Sequence, residues 1–108
     1  SLSEFRDRAI LTLVSEQLPD NFVIIEAGTP IFVEYIEYSY AYPKATPKKR
    51  RIGQTPKTTK PDLQDNLNKA FFDALEGLIY EQDQNIVEIK QMKKYYSDSD
   101  CIKVKFVY

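Results

Sequence analysis

Asp62, Asp65 and Asp83, with Lys69 one helical turn beyond Asp65, are the residues whose types and spacing best suit chemistry. Asp62 and Asp65 lie three residues apart, so on a helix their carboxylates share a face. With a third carboxylate they would hold a divalent cation, and Lys69 would sit beside it as a phosphate contact. The helix dipole opposes a cation at a helix N-terminus, so two or three acids are needed. The chain has no histidine and one cysteine, Cys101. Serine–histidine and cysteine–histidine catalysis are therefore excluded, and a structural zinc site nearly so. An all-oxygen donor set suits Mg2+, with Mn2+ as the alternative. The plainer reading also stands. Asp62 would be an N-cap with Asp65 completing a capping box, and Asp65, Lys69 and Asp73 a surface ion-pair ladder. Asp83 would be a solvated turn residue. Helix geometry puts residue 83 about 27 Å from residue 65 unless the following strand runs back or a second copy supplies the acid.

These acids follow a basic stretch. Residues 43–61 hold Lys44, Lys48, Lys49, Arg50, Arg51, Lys57 and Lys60 and no acid. The segment carries +7 within a chain of net charge −1, so the other 89 residues carry −8. Such a field beside an acidic helix suits DNA phosphates: the cations offset repulsion between phosphate and carboxylate, without reading base sequence. A solvated linker, or a weak nuclear-localisation pattern at 48–51, would have the same composition. Tyr35, Tyr38, Tyr40 and Tyr42 crowd one strand and suit packing as well as stacking on bases.

The elements that must position these groups follow from periodicity. Ser3 caps a helix marked by Phe5, Ala9, Ile10, Leu13 and Val14, which Pro19 stops. Phe22 to Glu26 is a short strand or its approach, and residues 27–30 make a turn. Ile31 to Tyr42 reads as a central strand, apolar on both faces. Residues 43–61, with four prolines, read as a long mobile loop. With Asp65 at zero on a helical wheel, Leu67, Ala70, Phe71, Ala74, Leu75 and Leu78 fall between about 140° and 280°, and the acids with Lys69 between about 0° and 80°. Phe72, at about 340°, is a large apolar side chain on the charged face. Gly77 is placed to end the helix. Asn85 to Lys94 reads as a strand with Val87 and Ile89 on one side, residues 95–100 as a polar turn, and Cys101 to Tyr108 as a final strand. Its inward residues are Ile102, Val104, Phe106 and Tyr108. The expected fold class is α+β, a small mixed β-sheet packed with two main helices, in one domain spanning 1–108. No apolar run reaches the length of a membrane span, and no signal peptide is visible. One cysteine fits a reducing, cytoplasmic setting.

The run Lys60-Pro61-Asp62-Leu63-Gln64-Asp65-Asn66-Leu67-Asn68-Lys69-Ala70-Phe71-Phe72-Asp73-Ala74-Leu75, then Gly77, Tyr80, Asp83 and Ile86-Val87, resembles the RusA-like Holliday junction resolvases. The Ala27-Gly28-Thr29-Pro30 turn and Lys93-Lys94-Tyr95-Tyr96 add to the likeness, which covers roughly residues 22–108. The family's acids map onto Asp62, Asp65 and Asp83, and its helix lysine onto Lys69. Gln64 is an insertion between the first two acids, and Gln82 replaces one member of an acidic pair. The family's N-terminal strand is missing, which points to a trimmed N-terminus. The resemblance implies a homodimeric phage or prophage endonuclease that binds four-way DNA junctions, holds Mg2+ on its aspartates and cuts two opposed strands. It also offers Phe72 a place at a dimer or DNA contact. Two other readings stay open: a branched-DNA-binding protein that no longer cuts, and an α+β interaction module unrelated to DNA.

Overall fold

The computed structural model describes residues 17–108, apart from the side chains of Gln64 and Asp65. The first expected helix lies outside the described residues. Among these, one main α-helix packs on a five-stranded mixed sheet. The strands are β1 (Ile31–Ala41), β2 (Thr55–Pro56), β3 (Ile86–Ile89), β4 (Met92–Ser97) and β5 (Cys101–Val107). The helix, α1, is Asn68–Leu75, and a π-helical turn over Leu63–Leu67 leads into it.

β1 is central, as its two-sided apolarity predicts. Both β3 and β4 pair with it in parallel, covering Ile31–Val33 and Ile36–Ala41 in turn. β5 pairs with it antiparallel from Phe32 to Ser39, and that overlap places β5 on β1's other edge. β3 and β4 are thus two halves of one line, interrupted at Lys90 and Gln91, whose backbones still bond to Val33 and Ile36. The predicted strand from Asn85 to Lys94 is this line, and it runs on to Ser97 through residues expected to turn. Pairing with β1 extends it, a long-range gain that local composition does not carry.

Two bulges account for the misplaced side chains. Between Val33 and Tyr35 the register against β5 slips by one, so Ile36 and Tyr38 follow Ile31 and Val33 into the core while Tyr35 is half-buried. Val87 is the extra residue between the pairs Ile31–Ile86 and Phe32–Glu88, so it is exposed, and Ile86 and Ile89 pack instead. On β5, Val104 and Phe106 pack inward as expected, whereas Ile102 and Tyr108 are exposed.

The core joins Ile25, Ile31, Val33, Ile36 and Tyr38 to Phe71, Phe72, Leu75, Ile79 and Tyr80. Phe72 is buried in this core, tilted 49° against Phe71 at 5.9 Å. The buried arc of α1 runs through Ala74, Phe71, Leu75, Asn68 and Phe72, about 180° to 340° on the same wheel, and Ala70 at about 140° is exposed. Two adjacent phenylalanines bury far more apolar surface than Ala70 does, and the helix rotates to seat both. Gly77, with φ +82°, takes the left-handed conformation as the helix ends. Tyr80 then turns back and donates its hydroxyl to the Phe72 carbonyl at 2.7 Å.

Candidate nuclease site

The basic segment has structure of its own, set against β4. A 3-10 turn forms at Lys48–Arg50, and β2 pairs antiparallel with β4 through Thr55–Tyr96 and Pro56–Tyr95. Pro56 is tolerated because β2 is an edge strand. Arg51 fastens the loop to itself. Its guanidinium donates to the carbonyls of Thr46 (2.9 Å), Lys44 (2.9 Å) and Pro43 (3.3 Å). Tyr42 donates to the Gly53 carbonyl (3.0 Å) and stacks on Tyr96 with ring centroids 6.0 Å apart. Lys57 lies 4.9 Å from the ring centroids of both Tyr40 and Tyr96 and donates to the Tyr96 hydroxyl at 3.2 Å. The Thr59 hydroxyl and then the Lys57 ammonium lower the Tyr96 pKa. The crowded tyrosines therefore divide. Tyr38 is core, while Tyr40, Tyr42 and Tyr96 hold the basic segment. Lys48, Lys49, Arg50 and Lys60 are exposed, whereas Arg51 and Lys57 are committed to this scaffold as well.

The segment runs through a cis Lys60–Pro61 bond to Asp62. Asp62 occupies the N-cap position with extended backbone, yet its side chain makes no cap hydrogen bond. Its carboxylate is exposed. The capping-box reading of Asp62 therefore fails. The backbone explains why: the first turn is π-helical, and the Asp62 carbonyl accepts from both Asn66 (3.3 Å) and Leu67 (3.1 Å). A π-turn holds one more residue than an α-turn, which is how a helix absorbs an insertion without losing phase downstream. Gln64 is that additional residue by comparison with the motif. Lys69 is exposed in the first turn of α1.

Asp83 lies at the other end of the helix, at the start of a 3-10 turn. Its N–H donates to the Glu76 carboxylate at 2.8 Å. A hydrogen bond with the Asp73 side chain raises its carboxyl pKa, and burial and the nearby Glu76 charge add to the rise. Its partners are thus Asp73 and Glu76, and no bond joins it to Asp62 among the described residues. Glu81 is spent otherwise, accepting the Ala27 N–H at 2.8 Å. Among the described residues no three His, Cys, Asp or Glu gather into a cluster that could hold a metal ion. The donor chemistry nonetheless fits a hard divalent cation, since the helix and the turn after it offer carboxylates and no nitrogen or sulfur ligand. Lys94 and Tyr96, which grip the approach to Asp62, stand out only in the fold. In the sequence they are two residues of a basic-aromatic tetrapeptide.

A basic arm leading into an acidic helix on an α+β domain suits a protein that handles DNA phosphates. The family model for endodeoxyribonuclease RusA matches residues 9–106, and the chain belongs to that family. It is accordingly an endodeoxyribonuclease of the Holliday junction type, acting on branched DNA in recombination. Neither curated proteins nor solved structures give a match. No helix among the described residues is long and apolar enough to cross a membrane.

Proposed function

We propose that this endonuclease is Mg2+-dependent, accepts Mn2+, and resolves four-way junctions by paired nicks in two opposed strands. It works as a homodimer, in the cytoplasm of a bacterium or a phage-infected host. The observation that carries the reading is Asp62: an exposed carboxylate with no capping role, delivered by a +7 segment to the start of the acidic helix.

Asp62 and Asp65 would hold the cation, with Asp83 supplied to that site by the second copy. Within one chain Asp83 lies at the other end of the helix, beside Asp73 and Glu76. Lys69 would face a phosphate oxygen. Bound there, the metal would supply an activated water and offset charge on the leaving oxygen. Asp83 would serve as a ligand in its ionised form, which the neighbouring Asp73 and Glu76 disfavour. Lys48, Lys49, Arg50 and Lys60 neutralise phosphates along the DNA arms. Arg51 and Lys57 do so while keeping the segment in shape. A homodimer places one such site on each of two opposed strands.

The test is nicking of a synthetic four-way junction with and without Mg2+, alongside binding in EDTA. Asp65→Asn and Asp83→Asn are expected to bind the junction and not cut it, and Asp62→Asn to be the milder change. Wild-type cutting by Asp65→Asn would overturn the assignment. Light scattering of the free protein checks the dimer, and a monomer that makes paired cuts would refute it.

A further inference from the structure

We propose that Lys94, on β4, is a positioning residue that sets the place of the Asp62 carboxylate. The proposal rests on the reading of Asp62 as a metal ligand. The Lys94 ammonium donates to two backbone carbonyls, Thr59 and Pro61, each at 2.6 Å. Charge-assisted bonds of that length are strong, and Lys94 is half-buried, which screens them less. The Pro61 carbonyl belongs to the peptide that joins Asp62 to the chain. On the far side, the Asp62 carbonyl is held by the Asn66 and Leu67 amides of the π-turn. The residue is thus pinned on both sides, by a strand on one and by the helix on the other, while its side chain stays clear of capping.

The same strand grips the chain once more upstream. Tyr96, two residues along and so on the same face of β4, holds Lys57 and Thr59 through its hydroxyl (3.2 and 3.3 Å). Lys94 is the final fastening of a strap over 57–61, and the one that reaches the acidic helix. A helix entry loosened by one residue's slip would leave Asp62 with no fixed direction, and a ligand held loosely binds metal weakly. The role differs from that of Lys48, Lys49 and Arg50. Lys94 spends its charge on the protein's own carbonyls, so its loss should spare DNA affinity.

The experiment uses the full chain labelled with 15N. Mg2+ is titrated while the Asn66 and Leu67 amide shifts are followed, and junction binding in EDTA is measured beside it. Lys94→Met keeps the aliphatic stem and removes the donors. It is expected to need about tenfold or more Mg2+ to reach the half-shift, with junction binding unchanged. Its nicking should be slow at limiting Mg2+ and recover at excess. A Lys94→Met metal curve that matches wild type overturns the proposal, most plainly if EDTA-phase DNA binding falls instead, since Lys94 would then be a DNA contact. Should Lys94→Met not fold, Lys94→Gln, which keeps one donor group, is read by the same two outcomes. A wild-type protein with no Mg2+ shift at these amides overturns the metal reading itself, and the proposal with it.

Discussion

Tyr38→Phe removes one oxygen from the middle of the domain, and its cost can be worked out from three contacts. The Tyr38 hydroxyl donates to Asn68 Oδ1 at 2.7 Å, with the two residues 2% and 7% exposed. This bond ties the first residue of α1 to the central strand. Burial, and then Tyr40, push the Tyr38 pKa well above the usual phenol range, so the hydroxyl stays a donor at any working pH. The other end of the Asn68 amide donates to Met92 Sδ at 2.7 Å, and sulfur is a weak acceptor. The Phe variant keeps the ring, and with it the edge-on packing against Phe71 at 6.1 Å. What disappears is the hydrogen bond, and what remains is a buried amide oxygen without its donor. The expected destabilisation is about 2 kcal/mol, within the range for an orphaned buried acceptor. Urea unfolding followed by circular dichroism should show a lower midpoint and an unchanged m-value. Adding Asn68→Leu removes the orphan, so the double variant should recover about 1 kcal/mol relative to the sum of the singles. A Tyr38→Phe protein within about 0.5 kcal/mol of wild type, with additive singles, would refute the idea that this bond anchors the helix.

Other outcomes follow from the site. Asp83 favours its proton more in the fold than in the unfolded chain, so its ionisation costs stability as pH rises from the ordinary carboxylate range through its raised value. Asp83→Asn should therefore raise the melting temperature near neutral pH and leave it unchanged near about pH 3, where both states hold the proton. Asp62→Asn should alter stability by less than about 0.5 kcal/mol in thermal melts, because its carboxylate caps nothing. Replacing Lys48, Lys49 and Arg50 by Gln should weaken junction binding and lower the salt slope by up to about 0.9 for each phosphate no longer neutralised. Arg51→Lys behaves differently: one ammonium cannot span three carbonyls as the guanidinium does, so limited proteolysis across 43–55 should quicken.

Much of this was legible without coordinates, and the exceptions share a cause. The central strand, the amphipathic helix, its glycine stop and the final strand are written in periods of two and 3.6 residues, which neighbouring side chains impose on each other. The helix face was displaced by one step because a wheel weighs each residue alone. Phe72 is buried because the sheet opposite had room for a second ring. Val87 pointed outward because a bulge opposite Ile31 absorbed it, and a bulge is a property of two strands. Residues 43–61 read as coil because nothing within them is apolar enough to fold. Besides the local bonds of Tyr42 and Arg51, they are held by Lys93, Lys94 and Tyr96 on β4, some 33 to 39 residues away in sequence.

The candidate site divides the same way. Sequence alone determined the kind of chemistry: no histidine, a single cysteine, carboxylates around one lysine, and a +7 arm leading into them in a family motif. Composition and local spacing suffice for that, because they fix which donor atoms exist. Only the tertiary structure decided which groups meet. It paired Asp83 with Asp73 and Glu76, freed Asp62 from capping through a π-turn, and set Lys94 against the peptide that precedes it. Those outcomes depend on the register of β4 along β1 and on the angle at which α1 seats its two phenylalanines. Both are settled by packing between parts of the chain that no local pattern connects.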